Sequence, residues 1–402
     1  MHSTGAIGLG SRRRFPYLIA AVALALLFAL VATPTTRADA VEAVEVEQTL
    51  NIPYTDPVPD TTQGNLLDLY IPDVHGKKLP LIIWSSGSAW LGNTGKEGAA
   101  PIAAVFNPLG YAVAGVSVRS TGNGVPGDNP AHDEVAFPGQ LHDIRAAIRW
   151  LREHAREYNL DTRRFAIMGN SSGGWLAAIA GTTSDIRRLP GEEGVGRTSS
   201  AVQAAVPFFP PTDFLQMDQW YVDNPGVFSL FVHDLPLVAV APPWIPIAQA
   251  SPESMLVHCT DDLGQLLGIQ TCPEETQEAN PISYVHRREV PMMILHGEAD
   301  SLVPNGQSVL LYQALRDARN RVTFISVQGA GHCVEQPPAP QPPFCPAGII
   351  GADQFTVFSS FWGHEKVGDS PAPTWENIEK FIRQALGIHP NFPKHNSHSF
   401  SG

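Results

Sequence analysis

The hexapeptide Gly169-Asn170-Ser171-Ser172-Gly173-Gly174 constrains this chain more than any other stretch. It follows the short apolar run Arg164–Met168 and precedes the helical pattern Trp175-Leu176-Ala177-Ala178-Ile179. A strand that turns into a helix through Gly-x-Ser-x-Gly forces its serine into a strained conformation, so the positions two before and two after it must lack bulk. Gly169 and Gly173 hold those positions around Ser171, whereas a turn centred on Ser172 would crowd Asn170. Ser171 is therefore the candidate nucleophile, presented at a helix N-terminus where backbone N–H groups favour developing negative charge. A glycine-rich turn without chemistry could carry the same residues, so the reading depends on an acid and a base further along the chain.

Around this turn, short apolar runs alternate with helical patterns, which points to an α/β fold: a mostly parallel central sheet with helices on both faces. Strands are expected at Leu66–Ile71, Leu79–Trp84, Ala112–Val118, Arg164–Met168, Val202–Phe208, Met292–Leu295 and Val322–Val327. Helices are expected over Phe137–Tyr158, Gln307–Ala318 and Trp375–Leu386; in the first, Leu141, Ile144, Ile148 and Leu151 share one face. Residues 41–60 read as a loosely packed lead-in. Residues 210–290 break the alternation, are rich in Pro, Trp and Phe, and read as an inserted cap. The polar tail 389–402 reads as disordered.

A serine hydroxyl needs a neighbouring imidazole to take its proton. With the chain order nucleophile, acid, histidine, each at the carboxyl end of a strand, the acid falls at Asp300, in the turn after Met292–Leu295. The base falls at His332, in Gly329-Ala330-Gly331-His332 after Val322–Val327. Glu298 and Asp213 compete for the acid role, and His296 reads as a structural strand-end histidine. The oxyanion donors are expected from Ser172, the residue after the nucleophile, and from the loop Ser85-Ser86-Gly87-Ser88-Ala89-Trp90.

Over roughly residues 64 to 386 the chain resembles the secreted esterase/lipase branch of α/β hydrolases, with its hormone-sensitive-lipase-like carboxylesterases and bacterial feruloyl or acetyl esterases. The resemblance rests on Phe137-Pro138 with Asp143, on Ala147-Ile148-Arg149-Trp150-Leu151, on Asp161-Thr162-Arg163-Arg164-Phe165, on Asn280-Pro281-Ile282-Ser283-Tyr284-Val285, and on the nucleophile, acid and histidine turns. It implies an α/β-hydrolase fold and a serine carboxylic-ester hydrolase acting on a small-molecule or polymeric ester. That family usually carries His-Gly-Gly in the oxyanion loop, where this chain has Ser86-Gly87-Ser88; Gly87 and Ser88 are expected to supply backbone donors despite the change. The rival readings are a prolyl-oligopeptidase-type peptidase and a catalytically dead binding protein.

Arg12, Arg13 and Arg14, the apolar run Tyr17–Val31 and the triplet Ala38-Asp39-Ala40 read as a signal peptide over residues 1–40. The run is shorter than the roughly 20 residues of a spanning helix. Secretion or a periplasmic or cell-envelope location is expected, by the general secretory or twin-arginine route, without stable membrane insertion after cleavage. The formal charge of −13 disfavours nucleic acid as a partner. Four cysteines in an exported chain suggest two disulfides; Cys259–Cys272 and Cys333–Cys345 each close a short loop. Neither a metal nor an organic cofactor is expected, and the sequence leaves the oligomeric state open.

Overall fold

The computed structural model describes residues 44–74, 76–122, 135–192, 196–217, 251–338, 341–342 and 344–389. The expected leader (1–40), the middle of the expected cap (218–250) and all but the first residue of the polar tail lie outside the described residues.

The strands, in chain order, are β1 (Val46–Pro53), β2 (Leu66–Pro72), β3 (Leu79–Ser85), β4 (Ala112–Val116), β5 (Leu160–Asn170), β6 (Ala204–Phe208), β7 (Met292–Gly297), β8 (Val322–Val327), β9 (Phe355–Phe361) and β10 (His364–Gly368). They form one sheet in the order β1-β2-β4-β3-β5-β6-β7-β8-β9-β10. From β4 to β8 every neighbouring pair is parallel. Antiparallel strands close both ends. This is the mostly parallel sheet that the alternation of apolar runs implies, and the architecture is that of an α/β hydrolase.

Side chains alternate across a strand, and here both faces are buried. Leu81 and Ile83 of β3 and Phe165 and Ile167 of β5 belong to one core. Ile82, Trp84, Ala166 and Met168 belong to the other. The first core takes in α2 (Gly139–Glu153), α3 (Ser172–Thr182) and α6 (Asn305–Asp317), through residues such as Ile144, Trp175 and Leu311. The second takes in α1 (Ala99–Phe106) and α7 (Trp375–Ala385), through Phe106 and Ile378. Helices therefore cover both faces, as a parallel sheet requires. Asp143 on α2, one of the residues that carry the family resemblance, is buried and paired at 2.7 Å with the Arg119 guanidinium.

Two regions differ from expectation. Residues 41–60 are not merely a lead-in: β1 pairs antiparallel with β2, Val46 opposite Pro72 and Pro53 opposite Leu66. The hairpin β9–β10 is likewise additional to the expected strands. Both lie at sheet edges, where much of the strand faces solvent and polar residues blur the apolar pattern. All five residues of β10 are exposed, so its sequence carries no core signal. Within the expected cap, the described residues include the short helices α4 (Pro252–Val257) and α5 (Pro273–Ala279). No described helix is long and apolar enough to cross a membrane.

Candidate active site

β5 ends at Asn170 and α3 begins at Ser172, leaving Ser171 alone in the turn with φ 58° and ψ −126°. Such a conformation costs a residue other than glycine about 1–3 kcal/mol and persists only where its surroundings impose it. Here they do: the Ser171 N–H donates to Phe208 O at 3.0 Å, and Ser171 O accepts from the Trp175 N–H at 2.8 Å. The flanking glycines are dictated by crowding. A Cβ on Gly169 would stand 2.3 Å from Gly173 O, and one on Gly173 would stand 2.0 Å from Ser85 O.

β7 and β8 run parallel and side by side, so the turns at their carboxyl ends bring Asp300 and His332 together. His332 Nδ1 lies 2.7 Å from Asp300 Oδ2. Asp300 Oδ1 accepts the backbone N–H groups of Leu302 and Val303, each at 2.9 Å. Burial alone would push the Asp300 carboxyl up; the neighbouring His332 and His296 rings and their hydrogen bonds reverse this and hold it far below the ordinary carboxylate range. The competing acids are engaged elsewhere. Glu298 Oε1 accepts from the Ser326 hydroxyl at 2.9 Å, and Asp213 Oδ2 accepts from Gln216 Nε2.

Ser171 and His332 line one narrow cleft, with Leu302 and Val303 beside them. No hydrogen bond joins the two side chains among the described residues. Catalytic hydrogen bonds often tighten only once substrate is bound. Phe209 packs its ring 4.3 Å from that of His332, centroid to centroid.

The oxyanion loop departs from the sequence reading. Gly87 sits against the nucleophile, since a Cβ there would be 2.4 Å from Ser171 Cβ. Its N–H, however, donates to Asn170 Oδ1 at 3.2 Å, and the Ser88 N–H donates to Ser172 Oγ at 2.9 Å. The two loop donors expected to be free are thus occupied by the side chains on either side of Ser171. Of the three expected donors, Ser172 alone has a backbone N–H without a partner among the described residues. The N–H of Ala89, a cleft residue with φ 51°, also has none. Ser86, where the resembling family has histidine, instead accepts from Trp84 Nε1 at 3.0 Å. Sequence reasoning does not single out Asn170 and Ser172 as loop anchors, because the contacts span more than eighty residues and no local pattern announces them.

Both cysteine pairs are joined, Cys259–Cys272 and Cys333–Cys345, with Cα–Cα distances of 5.8 and 5.6 Å. The second begins next to His332, whose own N–H donates to Phe344 O at 2.7 Å. Replacing both Cys333 and Cys345 by serine is expected to cost about 3 kcal/mol of stability through the lost loop closure. Urea denaturation measures this, and a midpoint equal to wild type would show that hydrogen bonds alone hold the histidine loop.

One wall of the cleft comes from Pro211 and from Pro252 and Glu253 at the start of α4, all within the expected cap. Glu253 is buried, and burial pushes its carboxyl up to about 7 against its own backbone N–H and the Ser251 hydroxyl. No signal in the chain points to it, since 210–290 has no period to place it. Among the described residues no cluster of three or more His, Cys, Asp or Glu is arranged to hold a metal ion.

Comparison with known proteins speaks to the fold and the family. The BD-FAE family model matches residues 67–315, and the BAAT / Acyl-CoA thioester hydrolase C terminal model matches residues 266–388. Esterase LipQ of Mycobacterium tuberculosis is 27% identical over 307 residues, which are 72% of this chain and 58% of LipQ. The chain thus spans less than two thirds of the length of that relative. A truncated carbohydrate esterase from gut microbiota superposes with a TM-score of 0.55 at 29% identity, over 72% of this chain and 90% of the other. A bifunctional GH43-CE protein of Bacteroides eggerthii gives a TM-score of 0.53 at 29% identity, over 70% and 35%.

Proposed function

Because the chain belongs to the BD-FAE family of α/β hydrolases, we propose that it is a carboxylic ester hydrolase that forms an acyl-enzyme on Ser171. The observation that carries this reading is the 2.7 Å contact between His332 and buried Asp300, in the cleft that also holds the strained Ser171. Ser171 Oγ attacks the ester carbonyl as His332 Nε2 takes its proton. Asp300 holds the other ring nitrogen and balances the charge on the imidazolium. The proton then passes to the departing alcohol, and water, activated by the same base, releases the acid. The backbone N–H groups of Ser172 and Ala89, which have no partner among the described residues, face the charge that develops on the carbonyl oxygen.

The relatives and neighbours named as esterases support a small-molecule or polymeric ester as substrate. The reading of 210–290 as a cap is supported by Pro211, Pro252 and Glu253, which line one side of the cleft. The test is hydrolysis of p-nitrophenyl acetate, butyrate and octanoate, with fluorophosphonate labelling in parallel. Turnover and labelling of Ser171 are expected. A folded protein that neither turns over nor labels would overturn the esterase reading and favour the catalytically dead alternative.

The reading includes export of the chain after removal of residues 1–40. Two disulfides support an oxidising destination. Mass spectrometry of the protein from a secreting host is expected to find an N-terminus near Val41, and an intact leader would overturn this.

A further inference from the structure

His296 lies at the end of β7, one residue before Gly297, and is wholly buried; the sequence suggests structural packing or hydrogen bonding for it. Its contacts are more pointed. Nε2 lies 2.9 Å from Val303 O and 3.3 Å from Asp300 Oδ2, while Nδ1 lies 2.7 Å from the Ser308 hydroxyl on α6. A carbonyl and a carboxylate can only accept, so Nε2 carries the proton and Nδ1 accepts from Ser308. The ring thereby closes a loop of contacts around the acid. It holds Val303 by its carbonyl, and the N–H of the same residue donates to Asp300 Oδ1. It also brings a second N–H dipole to the oxygen that faces His332.

We propose that His296 is a positioning residue for the acid: its Nε2–H fixes the 300–303 turn around Asp300 and keeps the Nδ1 proton on the His332 ring. When His332 takes the Ser171 proton, the Oγ–carbonyl carbon bond forms and the carbonyl electron pair moves to oxygen. The serine proton on Nε2 is then given to the departing alcohol, and the Nδ1 proton, which faces Asp300, must stay on the ring throughout. A carboxylate that already faces the His296 dipole and two backbone N–H groups is a poor competitor for that proton. This inference rests on the ester-hydrolase reading, and its test separates the two.

The experiment compares wild type with His296→Leu, His296→Gln and Ser308→Ala on p-nitrophenyl butyrate across pH 5 to 9, with melting temperatures recorded for each. His296→Leu is expected to lower kcat about tenfold or more, to leave KM within twofold, and to move the acid limb of kcat/KM to higher pH. With its opposing dipole gone, Asp300 would favour the protonated imidazole more strongly. His296→Gln, whose amide N–H reaches a similar place, is expected to restore most of kcat. Ser308→Ala, which frees the ring to turn, is expected to fall between them, and it carries the test if the leucine variant does not fold. Wild-type kcat and an unmoved acid limb in a folded His296→Leu or in Ser308→Ala would overturn the proposal. So would equal losses in the leucine and glutamine variants that follow melting temperature alone. An inactive wild type would instead refute the esterase reading. His296 would then be judged by ring nitrogen NMR at pH 8, where protonated Nε2 and bare Nδ1 are expected and the reverse tautomer overturns the inference.

Discussion

Ser171→Ala lowers kcat on p-nitrophenyl acetate by on the order of 10⁵–10⁶-fold, the loss expected when the nucleophile of a cooperating set is removed. The size of the effect comes from the division of labour in the cleft. His332 and Asp300 have no reaction to assist once the hydroxyl is gone, so their contributions vanish with it. What remains is the slow attack of water on an ester held near the free N–H of Ser172. Alanine enters the turn with no more bulk than serine and the same positive φ, so the fold is retained. Matched melting temperatures with lost turnover are the expected pair of results; substantial turnover in the variant would move the nucleophile elsewhere.

The second large effect is Asp300→Asn, expected to cost about 10⁴-fold in kcat with little change in size or burial. Asparagine can keep its carbonyl oxygen toward the Leu302 and Val303 N–H groups that Asp300 Oδ1 accepts. Its amide nitrogen then faces His332 Nδ1 and donates to it. The imidazole responds by carrying its proton on Nε2, the atom that has to receive the serine proton. Because the wild-type carboxyl is held far below the ordinary range, Asp300 remains ionised at every pH above about 4 and adds no step of its own to the pH–rate profile there. Steady-state kinetics of the two proteins measure the effect. A loss below tenfold would mean that Glu298 or Asp213 serves as the acid.

Much of this site is legible in the chain because the α/β fold turns sequence order into position. A serine between two glycines, after one strand and before one helix, admits a single geometry. Asp300 and His332 come after adjacent parallel strands, so their meeting is a consequence of strand order. The oxyanion loop is legible only as a location. Which of its N–H groups are free depends on Asn170 at the end of β5 and Ser172 at the start of α3 reaching across to it, and long-range side-chain contacts leave no trace in periodicity. His296 is legible as a buried strand end, but its grip on Val303 and Asp300 depends on how the next turn folds back. Glu253 shows the same limit more sharply, as a buried acid in a stretch without period. At the edges, β1 and β10 escape notice because exposed strands need no apolar alternation.

The Asn170 and Ser172 contacts with Gly87 and Ser88 divide the machinery into two prefabricated halves. One half carries the attacking atom and the charge-accepting loop, bound together by side chains immediately beside Ser171. The other carries the acid and the base, bound by the Asp300–His332 contact and fenced by the Cys333–Cys345 bridge. Each half is tied internally by these contacts, and β6 stands between them: Phe208 O accepts the Ser171 N–H, while the ring of Phe209, the next residue, packs against His332. The spacing between base and nucleophile is therefore set by what fills the place of the Phe209 ring, a residue that belongs to neither half.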